Sequence, residues 1–453
     1  MIARSFWFLL VTTTLAAAAA GQSPSGKVET HPSPEHREAV AGWLDRHVAE
    51  VVAVYKHFHA NPELSLQELK TATTIARGLE KAGYEVTQGV GQTGVVAVLK
   101  NGDGPTLLIR GDMDGLPVIE ETGVDYASQV RVKKPDGTTV GAMHACGHDV
   151  HSSMLLGVGP LLSDLKTQWK GTLVLVAQPA EEVGKGARMM IADGLFERFP
   201  KPDYCLSLHV KHDLPAGAIG YTSGYAFANV DSVDITIHGK GGHGARPNDT
   251  VDPIVTAAHV ITALQTIVSR RVNPVEPAVV TVGSIHGGTK HNIIPDEVKL
   301  QLTVRSYSDA VRRRLLDGIR QITVDTCRTF GCPREPEVRV DKEEYTPAAY
   351  NDPALTAAAV SLFGTLIGPE NVKELAAEMG GEDFGRFAKH LGVPGLQYRV
   401  GGVSLDRYAA AQQPGAGPLP SLHSALFYPD PDPTVRLAVE SMANLALSLL
   451  AKP

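Results

Sequence analysis

Cysteine is scarce in this sequence. Cys146, Cys205, Cys327 and Cys332 are the four among 453 residues, too few to frame a disulfide scaffold. Cys327 and Cys332 are spaced either to bridge or to stay as two free thiols near a helix end, and the sequence leaves both open. Positive charge is not in excess. Lys and Arg number 42 against 49 Asp and Glu, a formal net charge of −7, so the basic footprint of a nucleic-acid binder is missing. Beyond the N-terminus no segment is long and apolar enough to read as a membrane span. There is no internal repeat, no long low-complexity tract and no phosphate-binding loop. The paired H-x-E and P-C-x-x-C motifs of zinc nucleobase deaminases are also missing. What is there is a globular composition, 43% apolar and 20% charged, in a chain long enough for about two or three domains.

The first residues differ from the rest. Arg4 precedes "SFWFLLVTTTLAAAAAG", a short positive region followed by an apolar run and small residues. This predicts a signal peptide over residues 1–21, cleaved near Ala20–Gln22. Its strongly apolar core is shorter than the roughly twenty residues of a membrane anchor, and no cysteine nearby could carry a lipid. Residues 22–35 read as a flexible leader. The expected product is exported, periplasmic or secreted, and free of the membrane once cleaved.

Three short apolar runs stand out in the first half: Thr106–Arg110, Thr172–Gln178 and Tyr204–Val210. The first two are near-continuously apolar, as in strands buried on both faces of a parallel sheet. A helical pattern over His151–Leu165 lies between them, which gives α/β architecture. The first run leads into "GDMDG", the second into "PAEE", and the third holds His209 near its end. Open α/β sheets place ligand chemistry at the carboxyl ends of their strands, so Asp, Glu and His are predicted to meet at one edge.

The pattern then changes. Ser232–Gly244 alternates like a half-buried strand. Asp252-Pro253 opens a helix that runs to about Arg271. Two strands, the helix "DAVRRRLLDGIRQITVDTC" and the strand Glu337–Asp341 follow. The order β-α-β-β-α-β is ferredoxin-like. The predicted organisation is a catalytic domain over 36–228 and 342–453, interrupted by a small α+β domain at 229–341.

The stretch "GAMHACGHDVH" (Gly141–His151) carries the densest chemistry. Cys146 and His148 have C-x-H spacing, so both can reach one metal. Glu182 and His209 end two further strands, and His423 adds another imidazole. Borderline-soft divalent metals accept such a mixed set. Five ligands exceed a closed four-ligand zinc site, and a bridging thiolate would let them hold two ions. Each residue alone has a plainer reading as a loop, turn or core residue; it is their predicted meeting at one edge that argues for a site.

The stretches "RGDMDGLPV", "MHACGHDVH", "QPAEEVGKGA", "LHV", "GKGGHGARP", "HNIIPDEV", "MGGEDF" and "LHS" run in order from about residue 50 to the C-terminus. In this the chain resembles the di-metal amidohydrolase and metallopeptidase family of hippurate hydrolase, plant auxin-conjugate hydrolases, aminoacylases and carboxypeptidase G, the first two above all. The resemblance implies a di-metal exopeptidase-like catalytic domain with an inserted lid and dimerisation domain. It implies two divalent ions per subunit, zinc or manganese, and no organic cofactor. Cys146 would bridge them, Glu182 and His423 completing one site and His148 and His209 the other. Glu181 would be the general base, and Asp114 would orient the site. His243 would enter the partner subunit's active site in a homodimer. Asn292 and Arg305 would bind the substrate's polar end. The implied reaction cleaves N-acyl amino acids or related small amides to a carboxylic acid and an amino acid. Short peptides are the alternative substrates, and a non-catalytic binding protein is the lesser alternative. Three departures stand out: "HNIIPD" for the family's "YNVIPD", "HSA" for "HSP", and a long Gly401–Pro420 segment expected to reshape the pocket.

Overall fold

The computed structural model describes residues 33–133 and 136–450; the predicted signal peptide lies outside them. Eight strands form the main sheet. At its centre lie β1 (Thr106–Asp112), β2 (Gly171–Gln178), β3 (Tyr204–Pro215) and, far along the chain, Gly395–Val403. Their order is β2-β1-β3 and then Gly395–Val403, and every pairing among them is parallel. The near-continuous apolar runs are explained by helices on both faces. One face is covered by α1 (Pro34–Ala60), α2 (His148–Asp164) and the C-terminal helix Pro431–Leu449, packed around Leu107, Ile109, Leu173 and Leu206. The other buries Leu108, Val174 and Val176 against Met190, Phe384 and Phe387.

Two expected boundaries shift. α2 begins at His148 rather than His151, so the metal-ligand motif itself opens the helix. β3 continues to Pro215, which puts His209 mid-strand, not near its end.

The chain then builds a second sheet from β4 (Asn229–His238), β5 (Ala278–His286), β6 (Glu297–Ser306) and β7 (Glu337–Val340), ordered β5-β6-β4-β7 and antiparallel throughout. Two helices, α3 (Pro253–Thr266) and α4 (Asp309–Thr329), complete the β-α-β-β-α-β order. On β6 the alternation is strict: Val298, Leu300, Leu302 and Val304 are buried, while Glu297, Lys299 and Gln301 are exposed. The buried set packs under the two helices, and Arg305 shares the open face. The expected strand 232–244 breaks at Gly239. Gly242–His243 pairs instead with Ile293–Ile294 as a separate two-stranded ribbon. The first lid helix stops at Thr266 and is followed by a π-helical turn, Ile267–Arg271.

This second unit has its own core, drawn wholly from residues between Val233 and Val340. Its two connections run side by side, with Val230 and Thr346 exchanging backbone hydrogen bonds of 2.8 and 3.0 Å. Cys327 and Cys332 are both free thiols. No helix among the described residues is long and apolar enough to cross a membrane.

Candidate active site

Each candidate residue is set by a different element. β1 ends at Asp112, and Asp114 follows two residues on. β2 ends at Gln178 and turns through Pro179 and Ala180 into Glu181 and Glu182. Cys146 precedes α2, and Gly147 joins it to His148 with φ of +83°. A Cβ on Gly147 would stand 3.0 Å from the Val210 Cβ, so only glycine brings this loop against β3 beside His209. His423 is tied to the same loop, its N–H donating to the Ala145 carbonyl at 2.8 Å. Ala180 and His423 have φ of +51° and +67°, a left-handed conformation costing about 1–3 kcal/mol per non-glycine residue. Strain thus flanks the glutamate pair and falls on the last imidazole.

Two rings are held with one nitrogen free. His148 Nδ1 donates to the Asp114 carbonyl at 2.8 Å, and His209 Nδ1 to the Val210 carbonyl at 2.7 Å. That leaves both Nε2 atoms without a backbone partner, His209 Nε2 lying 3.5 Å from Cys146 Sγ. The Asp114 carboxylate accepts from the backbone N–H of Glu181 and of Glu182, each at 3.1 Å, and from Ser65 Oγ at 2.6 Å. It therefore fixes the glutamate turn and reaches the His148 ring through its own carbonyl.

The donor atoms fall into overlapping groups. Those of Cys146, His148 and His209 lie within 4.8 Å of one another, as do those of Cys146, Glu182 and His423. Cys146 belongs to both. His148 Nε2 and Glu182 Oε1 are buried 3.8 Å apart, and neither makes a hydrogen bond among the described residues, which is costly unless something else satisfies them. A divalent ion in each group fits this donor set of thiolate, imidazole and carboxylate. Neighbouring clusters are already spent. His151 donates from Nδ1 to Asp112 at 2.5 Å and accepts the Val210 N–H on Nε2 at 2.9 Å. Glu382 and Asp383 are held by Arg110 at 3.1 and 3.2 Å.

Burial and neighbouring charge shift the titratable groups of the site. Burial, with Glu382 and Glu182 nearby, pushes the Glu181 carboxyl well above the usual range. Burial pushes Glu182 up to about 7, and burial with the Glu182 charge raises the Cys146 thiol. Burial holds His209 well below its usual value, so its ring is neutral. Nearby cations reverse such shifts for carboxylates and thiols. Burial disfavours a charged Asp112 as well, but Arg110, His148 and His151 outweigh it and hold that carboxyl well below its usual range.

Sequence reasoning missed the Arg110 network. This fully buried guanidinium binds Asp112, Gln178, Glu382 and Asp383. The signal was present in "RGDMDG" and "GGEDF", but nothing in the sequence says that these stretches touch. The adjoining cavity, about 780 Å³, is lined by Cys146, Glu181, Glu182, His209, Arg305 and His423, among others. His243 and Asn292 do not line it. They sit on the exposed ribbon of the lid, Asn292 accepting the Gly244 N–H through its carbonyl at 2.9 Å. Nor does any residue of 401–420 line it, contrary to expectation. Leu405–Ala411 forms a separate helix, and only Leu422 and His423 of the following turn reach the cavity.

Hydrolysis of an amide bond by metal ions needs clustered donors beside a carboxylate that moves protons, and this chain is a metal-dependent hydrolase of that class. Comparison with known proteins supplies the family. Residues 108–414 match the model for peptidase family M20/M25/M40, and the chain belongs to it. It is 36% identical over 355 residues to thermostable carboxypeptidase 2 of Saccharolobus solfataricus, covering 78% of this chain and 85% of that one. With the N-acetyl-L-cysteine deacetylase of Bacillus subtilis it shares 36% identity, covering 76% and 78%. A solved Bacillus subtilis structure, a dinuclear metal binding peptidase from the M20 family, superposes with a TM-score of 0.73 at 29% identity, covering 90% of this chain and 99% of that one.

Proposed function

We propose that this protein hydrolyses N-acyl amino acids to a carboxylic acid and an amino acid. The observation that carries the reading is Cys146, shared between two ligand groups with Glu181 beside them. Cys146, His148 and His209 would hold one divalent ion, and Cys146, Glu182 and His423 the other, zinc or manganese in each. Bound there, the pair supplies Lewis acidity toward the amide carbonyl and lowers the pKa of water from 15.7 to about 7. Glu181 Oε takes the proton of the attacking water and returns it to the leaving nitrogen. Asp114 holds the glutamate turn in place through the two backbone bonds described above. Arg305, on the open face of β6, receives the amino acid's carboxylate; Asn292, outside the cavity of its own chain, would assist only from the partner subunit, as His243 does. The protein acts after export as a two-fold dimer, in which His243 reaches the partner's site to stabilise the oxyanion.

The test is a panel of N-acyl amino acids and dipeptides with chelated and reconstituted protein. Chelation should abolish hydrolysis, and zinc or manganese should restore it. Full activity in protein shown by elemental analysis to be metal-free would refute the site. Turnover of dipeptides alone would favour the exopeptidase reading.

A further inference from the structure

Arg399 is a buried guanidinium without a carboxylate of its own. It lies on the Gly395–Val403 strand, where parallel pairing sets it beside His209 of β3. Paired residues of neighbouring strands point to the same face, and Arg399 lines the same cavity as His209 and Cys146. The residue is 9% exposed. Its guanidinium sits over the Phe227 ring, 4.5 Å from the centroid, and Nη1 donates to Gln397 Oε1 at 3.0 Å. No carboxylate among the described residues lies within ion-pair distance of it. The nearest candidates are engaged. Glu382 accepts from Arg110 and from the Gln397 side-chain amide, and Glu378 from Lys211 Nζ at 2.8 Å.

An arginine offers five N–H donors and stays charged at every physiological pH. Burying one without a counter-anion is costly, and here the missing partner faces the reaction cavity. Arg305 also lacks a carboxylate: its Nε donates to Thr303 Oγ1 at 2.9 Å. The cavity thus holds two unpaired guanidinium groups, and the proposed reaction uses one. We propose that Arg399 receives a second carboxylate of the substrate, so that the preferred N-acyl amino acids carry two. This rests on the amidohydrolase reading and deepens it. The second carboxylate belongs either to a dicarboxylic amino acid or to a dicarboxylic acyl group. A substrate without it leaves the buried donors unpaired, which is how such sites reject analogues.

The experiment measures kcat/KM for metal-loaded wild type, Arg399→Gln and Arg399→Lys on N-acetylleucine, N-acetylglutamate and N-succinylleucine. Wild type should favour one dicarboxylate over N-acetylleucine by at least about tenfold. Arg399→Gln should remove most of that preference, bringing the dicarboxylate to within about threefold of N-acetylleucine, mainly through KM, as loss of a charge-assisted contact does. Arg399→Lys, which keeps the charge but not the fork, should retain part of it. Preference for N-acetylglutamate places the second carboxylate on the amine side, and preference for N-succinylleucine on the acyl side. Thermal unfolding of each variant checks that it is folded. Equal turnover of all three substrates by wild type overturns the inference. So does an equal loss on all three in Arg399→Gln, which would make Arg399 a positioning residue acting on Glu382 through Gln397. If wild type hydrolyses none of them, the amidohydrolase reading falls and this inference with it.

Discussion

Glu181 and Glu182 are adjacent and chemically identical, yet their surroundings give them different work. Glu182 lies with Cys146 and His423 in one donor group, its Oε2 3.5 Å from His423 Nε2. Glu181 belongs to neither of the groups that share Cys146, and it faces the carboxylates of Glu382 and Asp383 instead. Glu181→Gln keeps size and hydrogen bonding but cannot accept a proton. It should bind metal normally and lose kcat by on the order of 10²–10⁴-fold. Glu182→Gln should instead lower metal occupancy, read by elemental analysis. Near-normal turnover in Glu181→Gln would show that the proton moves elsewhere. At this scale the sequence was informative where residue type alone implies chemistry, as in "HACGH" and "PAEE". It was silent on Arg399, because residue type alone does not say which groups surround a guanidinium.

Helices α1 and α2 are joined by one charged ring. His59, in the last turn of α1, is fully buried and spans Asp149 of α2 at 2.7 Å and Glu120 at 3.0 Å, one carboxylate on each ring nitrogen. Burial opposes a charge on it, but Asp149 and Glu120 outweigh burial and raise its pKa from 6.5 to about 9. A group whose folded pKa is raised stabilises fully below its unfolded value and loses that contribution as pH climbs through the folded one. The bridge should therefore be complete below pH 6.5 and lost through about pH 9, a change on the order of 3 kcal/mol. Denaturation of wild type and His59→Gln across this range should show their stability gap narrowing as pH rises. A constant gap would mean that His59 is not charged in the folded protein. The three central strands, the helix after His151 and the elements of the lid were readable from periodicity, whereas this bridge was not, since its members stand 61 and 90 residues apart. The extension of β3 past Val210 was hidden for a similar reason: Lys211, His212 and Asp213 interrupt the apolar run, and the extension gains its pairing from the Gly395–Val403 strand.

The whole molecule raises the question of how His243 acts at all, since the cavity of its own chain does not include it. In a two-fold dimer with sites completed across the interface, each site combines Glu181 of one subunit with His243 of the other. Glu181→Ala and His243→Ala should each be nearly inactive. Refolded together with metal, about half of the dimers are mixed, and each mixed dimer has one intact site. Activity should return to roughly a quarter of wild type. Efficient refolding of wild type in parallel, with no recovery in the mixture, would rule out a shared site. The β-α-β-β-α-β order of the lid was visible in the sequence because each element carries its own period. The position of His243 was not, because two short strands on a ribbon leave no periodic trace.

The paired backbone bonds between Val230 and Thr346 bear on how separable the two units are. The chain leaves the larger unit and re-enters it at one point, and neither core borrows a side chain from the other. The lid is in that sense a cassette, removable without cutting the host. Closing the gap between residues 229 and 347 with a short glycine linker should yield a protein that still unfolds cooperatively and binds metal, yet turns over no substrate. Its loss of cooperativity in calorimetry would show that the two halves of the host need the lid to find each other. Gene architecture of this kind lets a new binding surface be exchanged while the hydrolytic machinery, assembled from both flanks, is inherited unchanged.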